Sequence, residues 1–224
     1  VIGGQSDPTA AALPVDAALP PLHSGGINES GAVSVQIVLE DGQLILGDLY
    51  ENPDGGRVGG VLLLARNRLT WGLLPIELLA SGFTVLVLEL LPVARAADID
   101  VLLTSLSEEG TVDPSRIAVI GAGEGADMAL LGCAVYPICD AVVLLSPQSR
   151  DSLLNVLPNF NPRPMLVIAA RNDSESYTTA LALSSAFAEG SQLIQPATGQ
   201  GTGLLALNSD LHSAIIGWLR GMWD

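Results

Sequence analysis

The sequence predicts an α/β protein: a mostly parallel sheet of eight strands that opens with an antiparallel hairpin, carries helices on both faces and has no lid domain. Three observations predict it. Apolar runs of strand length, wholly so at residues 58–65 and after Arg116 at residues 117–120, suit strands covered on both faces. Segments with apolar residues at helical spacing lie between those runs. At the centre, an apolar strand pattern ends in the glycine run Gly121-Ala122-Gly123-Glu124-Gly125-Ala126 and passes at once into helical spacing through Met128 and Leu131, a strand, a tight turn and a helix.

The other elements follow in order. Residues 1–30 are rich in Ala, Pro, Gly and Ser and lack periodicity, so they read as a flexible tether ahead of one domain over residues 31–224. A Pro/Ala-rich lead segment that starts at Val1 fits the remnant of a processed export signal, so an exported or cell-envelope location is expected. Residues 33–39 alternate, Glu40-Asp41-Gly42 turns, and residues 44–50 run back as the hairpin. After the strand at 58–65 come a helix at 72–81, a strand at 83–90, a helix at 94–109, a turn at Asp113-Pro114 and the strand at 116–120. Beyond the glycine turn and its helix, strands are predicted at 141–146, 165–170 and 192–195, and helices at 176–188 and 204–223. The link from Ser146 to Pro164 reads as irregular and too short for a lid, which predicts a shallow, open pocket above the sheet.

A chain of 224 residues buries one substantial core, and nothing in the pattern divides it. Hydrophobic residues make up 49% of it, yet no apolar window is long enough for a membrane span. A net charge of −15 without a single lysine opposes binding to nucleic acid or anionic lipid. Cys133 and Cys139 are the only cysteines, and His23 and His212 the only histidines; their spacing lacks metal-site character, and no cofactor is expected. A disulfide and two buried thiols both fit the cysteine spacing.

Two machines use a strand-turn-helix of this kind. Gly121, Gly123 and Ala126 spell the dinucleotide pattern G-x-G-x-x-A, while Gly121 and Gly125 frame the nucleophile elbow G-x-S-x-G with glycine at its centre. The motif sits in mid-chain, and the next strand ends at Ser146 rather than at an acidic residue for ribose, which favours the elbow. With Asp113-Pro-Ser-Arg-Ile-Ala-Val-Ile-Gly121 before the turn, Ala141-Val-Val-Leu-Leu-Ser-Pro147 at the sixth strand and Arg163-Pro-Met-Leu-Val-Ile-Ala-Ala170 at the seventh, the chain from about Val33 onward resembles the α/β-hydrolase fold family, in its small lidless dienelactone-hydrolase and esterase branch.

The resemblance implies a nucleophile at Gly123, an acid at Asp173 and a histidine at Gln200, within Gly199-Gln-Gly-Thr-Gly203. Glycine has no side chain to attack with, and a carboxamide cannot serve as general base near neutral pH. The oxyanion donors it implies are the backbone N–H of Glu124 and one near Arg66. Ser146 reads as a strand-end serine serving the backbone, and Arg66, Arg68 and Trp71 as a solvated loop. Asp173 is expected to find a donor in Gln200 or a nearby backbone N–H, or to be reached by water. The resulting expectation is a catalytically degenerate protein that binds a small molecule at the elbow pocket or a protein partner; the rival is an active esterase using displaced residues.

Overall fold

The computed structural model describes residues 23–27, 31–90, 95–187 and 190–223. Its strands are β1 (His23–Ile27), β2 (Val33–Val38), β3 (Leu44–Tyr50), β4 (Val58–Ala65), β5 (Thr84–Glu89), β6 (Val112–Ala122), β7 (Ala141–Leu145), β8 (Met165–Ile168) and β9 (Ser191–Ile194). They form one sheet in the order β1-β2-β3-β5-β4-β6-β7-β8-β9. The pairs β1-β2, β2-β3 and β3-β5 are antiparallel, and every pair from β5 to β9 is parallel. The eight expected strands are all present. β1 adds a ninth inside the segment read as a tether; the remainder of residues 1–30 lies outside the described residues.

Alternation along the parallel strands splits the core into two layers. Leu62, Leu64, Val119 and Val167 face a layer closed by α2 (Asp98–Ser107), α3 (Glu124–Val135), α4 (Arg150–Phe160) and α5 (Ser174–Ala186). Val61, Leu63, Ile120 and Ile168 face the other, closed by α1 (Leu74–Ala80), α6 (Gly203–Leu207) and α7 (Asp210–Trp223). Among the described residues no helix is long and apolar enough to cross a membrane.

Three elements depart from the sequence reading. The link from Ser146 to Pro164 contains a full helix, α4, whose Leu153, Leu157 and Phe160 recur at i, i+4 and i+7 and are buried. Asn155, Pro158 and Asn159 mask that stripe, because each is a weak helix former. The last helix is two: at Asn208 the backbone turns extended, and the Asn208 side chain donates to the carbonyls of Leu204 at 2.8 Å and Thr198 at 3.0 Å. β6 starts at Val112, with a register break between Val112 and Ile117 in which Asp113 accepts from the Ser115 N–H at 3.0 Å and its hydroxyl at 2.7 Å. Cys133 and Cys139 form a buried disulfide, with Cα atoms 5.4 Å apart, that ties the last turn of α3 to the segment just ahead of β7.

The first turn of α3 lies on the end of β4 with almost no clearance. A Cβ at Gly125 would sit 2.1 Å from the Leu64 carbonyl oxygen, a backbone atom that cannot yield without moving the central strand. Gly125→Ala is therefore expected to destabilise the fold by about 3 kcal/mol or more. Scanning calorimetry should read this as a Tm lowered by roughly 6–12 °C.

Candidate functional site

The site lies at the carboxyl ends of the parallel strands, where the loops after β4, β6, β7 and β9 meet. Its pivot is Gly123, held at φ 59° and ψ −121° between β6 and α3. This backbone favours glycine, and any other residue would adopt it under strain. The Gly123 N–H donates to the Leu145 carbonyl at 2.9 Å, and its own carbonyl accepts from Ala126 at 3.0 Å and Asp127 at 3.3 Å, so the turn is tied to both β7 and α3. A Cβ there would meet nothing nearer than the Gln148 Nε2, at 4.0 Å. The turn therefore keeps an elbow's geometry and has room for a side chain, but carries none.

Above the turn is a cleft of about 420 Å³, lined among others by Arg66, Asn67, Glu124, Gln148 and Gln200. Arg66 Nε donates to Glu124 Oε2 at 2.7 Å while Nη2 engages Oε1, a bidentate pair that joins the β4 loop to the start of α3. Hydrogen bonding to Arg66 holds the Glu124 carboxyl below the usual carboxylate range. With side chains 62% and 45% exposed, the pair adds little stability. Its main effect is to cancel both charges at the rim. As first residue of α3, Glu124 also has a backbone N–H with no intrahelical acceptor.

Buried groups beneath the cleft fix its loops. Asp127 Oδ1 accepts from the Gln148 N–H at 2.8 Å and Oδ2 from the Ser149 N–H at 3.0 Å, which clamps the loop carrying Gln148. Sequence reasoning gave Asp127 no role; an acid four residues past the turn, on an otherwise apolar helix, was the available signal. Ser146 is fully buried at φ 53°, and its Oγ accepts from the Gly201 N–H at 2.9 Å. It holds the loop of Gln200 and is no free nucleophile.

Asp173 stands where the acid was expected but does not meet Gln200. It caps α5 instead, with Oδ1 accepting from the Ser176 N–H at a long 3.5 Å, and its Oδ2 is buried without a hydrogen-bond partner. The carboxylate thus has a backbone N–H at one oxygen, from Ser176 rather than from the Gln200 side chain, and none at the other. Among the described residues, the Gln148 and Gln200 side chains make no hydrogen bond. Of the β4 loop, Arg66 lines the cleft; Arg68 turns to Asp48 at 2.9 Å and Glu89 at 3.4 Å, and Trp71 is buried. His212 Nδ1 lies 2.7 Å from Glu77 Oε2, where it ties α7 to α1; the side chain of His23 lies outside the described residues. Among the described residues, no group of three His, Cys, Asp or Glu could hold a metal.

No protein-family profile matches the sequence, and no curated protein matches it. Solved structures do. The Pyrococcus furiosus esterase Pf2001 aligns with a TM-score of 0.69 at 16% identity, over 90% of this chain and 98% of its own. A dienelactone hydrolase from Anabaena variabilis gives 0.71 at 17%, over 85% and 97%. The esterase domain of a Rhodothermus marinus protein gives 0.68 at 16%, over 86% and 97%. At such identities the likeness is one of fold. The chain thus has the α/β-hydrolase fold that esterases and dienelactone hydrolases share.

Two outcomes follow from the site. Asp127→Asn sets an amide NH2 against one of two buried backbone donors, at a cost of about 1–3 kcal/mol. Amide exchange at Gln148 and Ser149 should accelerate relative to the sheet; unchanged exchange would mean the clamp does not hold the loop. The Glu124 carboxyl should titrate by carbon-detected NMR below an ordinary glutamate, and Arg66→Ala should bring it back up. Because its folded-state value is lowered, the pair is present above the unfolded value and is lost as pH falls through the folded one.

Proposed function

We propose that this protein is a catalytically degenerate member of the α/β-hydrolase fold whose cleft binds a small molecule without hydrolysing it. The observation that carries the reading is Gly123: an elbow turn with open space at its apex and no nucleophile in it. Two further observations support it. Gln200, in place of a base, lines the cleft with its carboxamide unbonded among the described residues, as does Gln148, so both are free to hold a polar ligand. The buried, unpartnered Asp173 Oδ2 is the acceptor that a histidine N–H would satisfy in an intact triad. The rival reading, an esterase with displaced residues, finds no support in Ser146, whose Oγ is buried and already bonded. We further propose that the protein is exported, since a buried disulfide suits an oxidising compartment.

Turnover of short acyl esters should match buffer alone. Saturable hydrolysis abolished by a serine-directed reagent would overturn the reading. Gly123→Ser alone should stay inactive, because serine lacks a base and must adopt the strained turn at a cost of about 1–3 kcal/mol. Gly123→Ser combined with Gln200→His restores serine and histidine in the chain order that the resemblance implies with Asp173, and weak activity toward activated esters is the expected gain once Asp173 turns from its cap to the new histidine.

A further inference from the structure

At the opposite end of the sheet from the cleft, three arginines converge. Arg57 precedes β4, Arg116 lies near the start of β6 and Arg220 is in the last turn of α7; with Trp223, Phe83 and Gly82 they line a pocket of about 410 Å³. The chain has only nine basic residues, all arginine, against a net charge of −15, so a third of its positive charge gathers at one point.

Of the six other arginines, Arg66, Arg68 and Arg95 pair with carboxylates and Arg163 donates to the carbonyls of Tyr136, Cys139, Asn159 and Phe160, while Arg150 and Arg171 are exposed and make no side-chain hydrogen bond or ion pair among the described residues. The basal three are likewise little committed, but they share a pocket. Arg57 makes no hydrogen bond or close ion pair among the described residues; Asp113 acts on it only through space. Arg116 Nε lies 3.6 Å from Asp113 Oδ2, a loose ion pair beyond hydrogen-bond range, while Ser115 donates to the other oxygen, Oδ1. Arg220 commits one N–H, to the Ser81 carbonyl at 2.9 Å. A guanidinium offers five N–H donors, so most donors around the pocket are unused.

The apolar wall is fixed in place. The Trp223 ring packs against Phe83 with centroids 5.9 Å apart and lies over Gly59, where a Cβ would come within 2.7 Å of it. Three like charges about one cavity repel one another, and an oxyanion between them would offset that repulsion while accepting bidentate hydrogen bonds.

We propose that this basal pocket is a binding site for a small oxyanion ligand, a phosphate monoester or a polycarboxylate, whose apolar part rests on Trp223. It involves none of the cleft's residues and stands apart from the reading of the cleft.

The test titrates the full chain, at fixed ionic strength, with phenyl phosphate, inorganic phosphate and citrate, reading the indole N–H signal of Trp223 by NMR. Saturable shifts are expected, with phenyl phosphate tighter than inorganic phosphate. Phenyl phosphate ahead of citrate assigns the site to phosphate monoesters; the reverse order assigns it to polycarboxylates. Arg57→Gln, at an exposed and unbonded position, should leave the Tm unchanged and weaken the preferred probe about tenfold. Arg116→Gln should do the same, and Gly123→Ser should leave binding as it was. Failure of all three probes to saturate, equal binding of phenyl and inorganic phosphate, or a titration indifferent to Arg57→Gln would each overturn the proposal.

Discussion

The near-contact between the first turn of α3 and the end of β4 governs the geometry of everything above the sheet. With the Leu64 carbonyl against Gly125, α3 has one position over the central strands, and that position fixes the departure angle of the chain from β6. Gly123 must then turn with positive φ, Glu124 must start the helix beside the β4 loop, and Asp127 arrives one turn later beneath the β7–α4 loop. Arg66, Gln148 and the turn itself are thus brought together by a steric constraint between backbones, before any side chain chemistry enters.

That ordering explains how the frame of the cleft can stand whatever side chain occupies the apex of the turn. The buried hydrogen bonds of Asp127 and Ser146 hold loops, and they need neither a nucleophile nor a base in order to form. Fold and chemistry are separable here because the residues that shape the cleft are different residues from those that would react in it.

Most of the sheet was legible because its strands are buried on both faces and read as apolar runs; 58–65 and 141–146 need no context to be recognised. What escaped was local. α4 was hidden by residues with weak helix propensity over a sound apolar stripe, and the break at Asn208 depends on a side chain capping carbonyls ten and four residues back. β1 lies in a stretch whose composition gave no periodicity, and it gains its order from pairing with β2. At the site, Gly123, Glu124, Arg66 and Gln200, positions the resemblance singles out, line one cleft. The rest depended on distances that letters do not contain: that Asp173 serves as a helix cap, that Arg66 and Glu124 neutralise one another, and that Ser146 faces inward.

Ser146 also bears on what the chain has kept. Of the positive-φ positions at or next to the cleft, Gly123, Ser146, Gly199 and Gly201, all but Ser146 are occupied by the residue for which that backbone is free of strain. Glycine at position 146 would relax β7 but release the Gly201 N–H; alanine would keep the tension and lose the bond. Serine accepts a conformational penalty in exchange for the placement of one loop. Tension stored at Ser146, with none at the apex of the turn, serves the outline of the cleft, which it sets through the loop of Gly201.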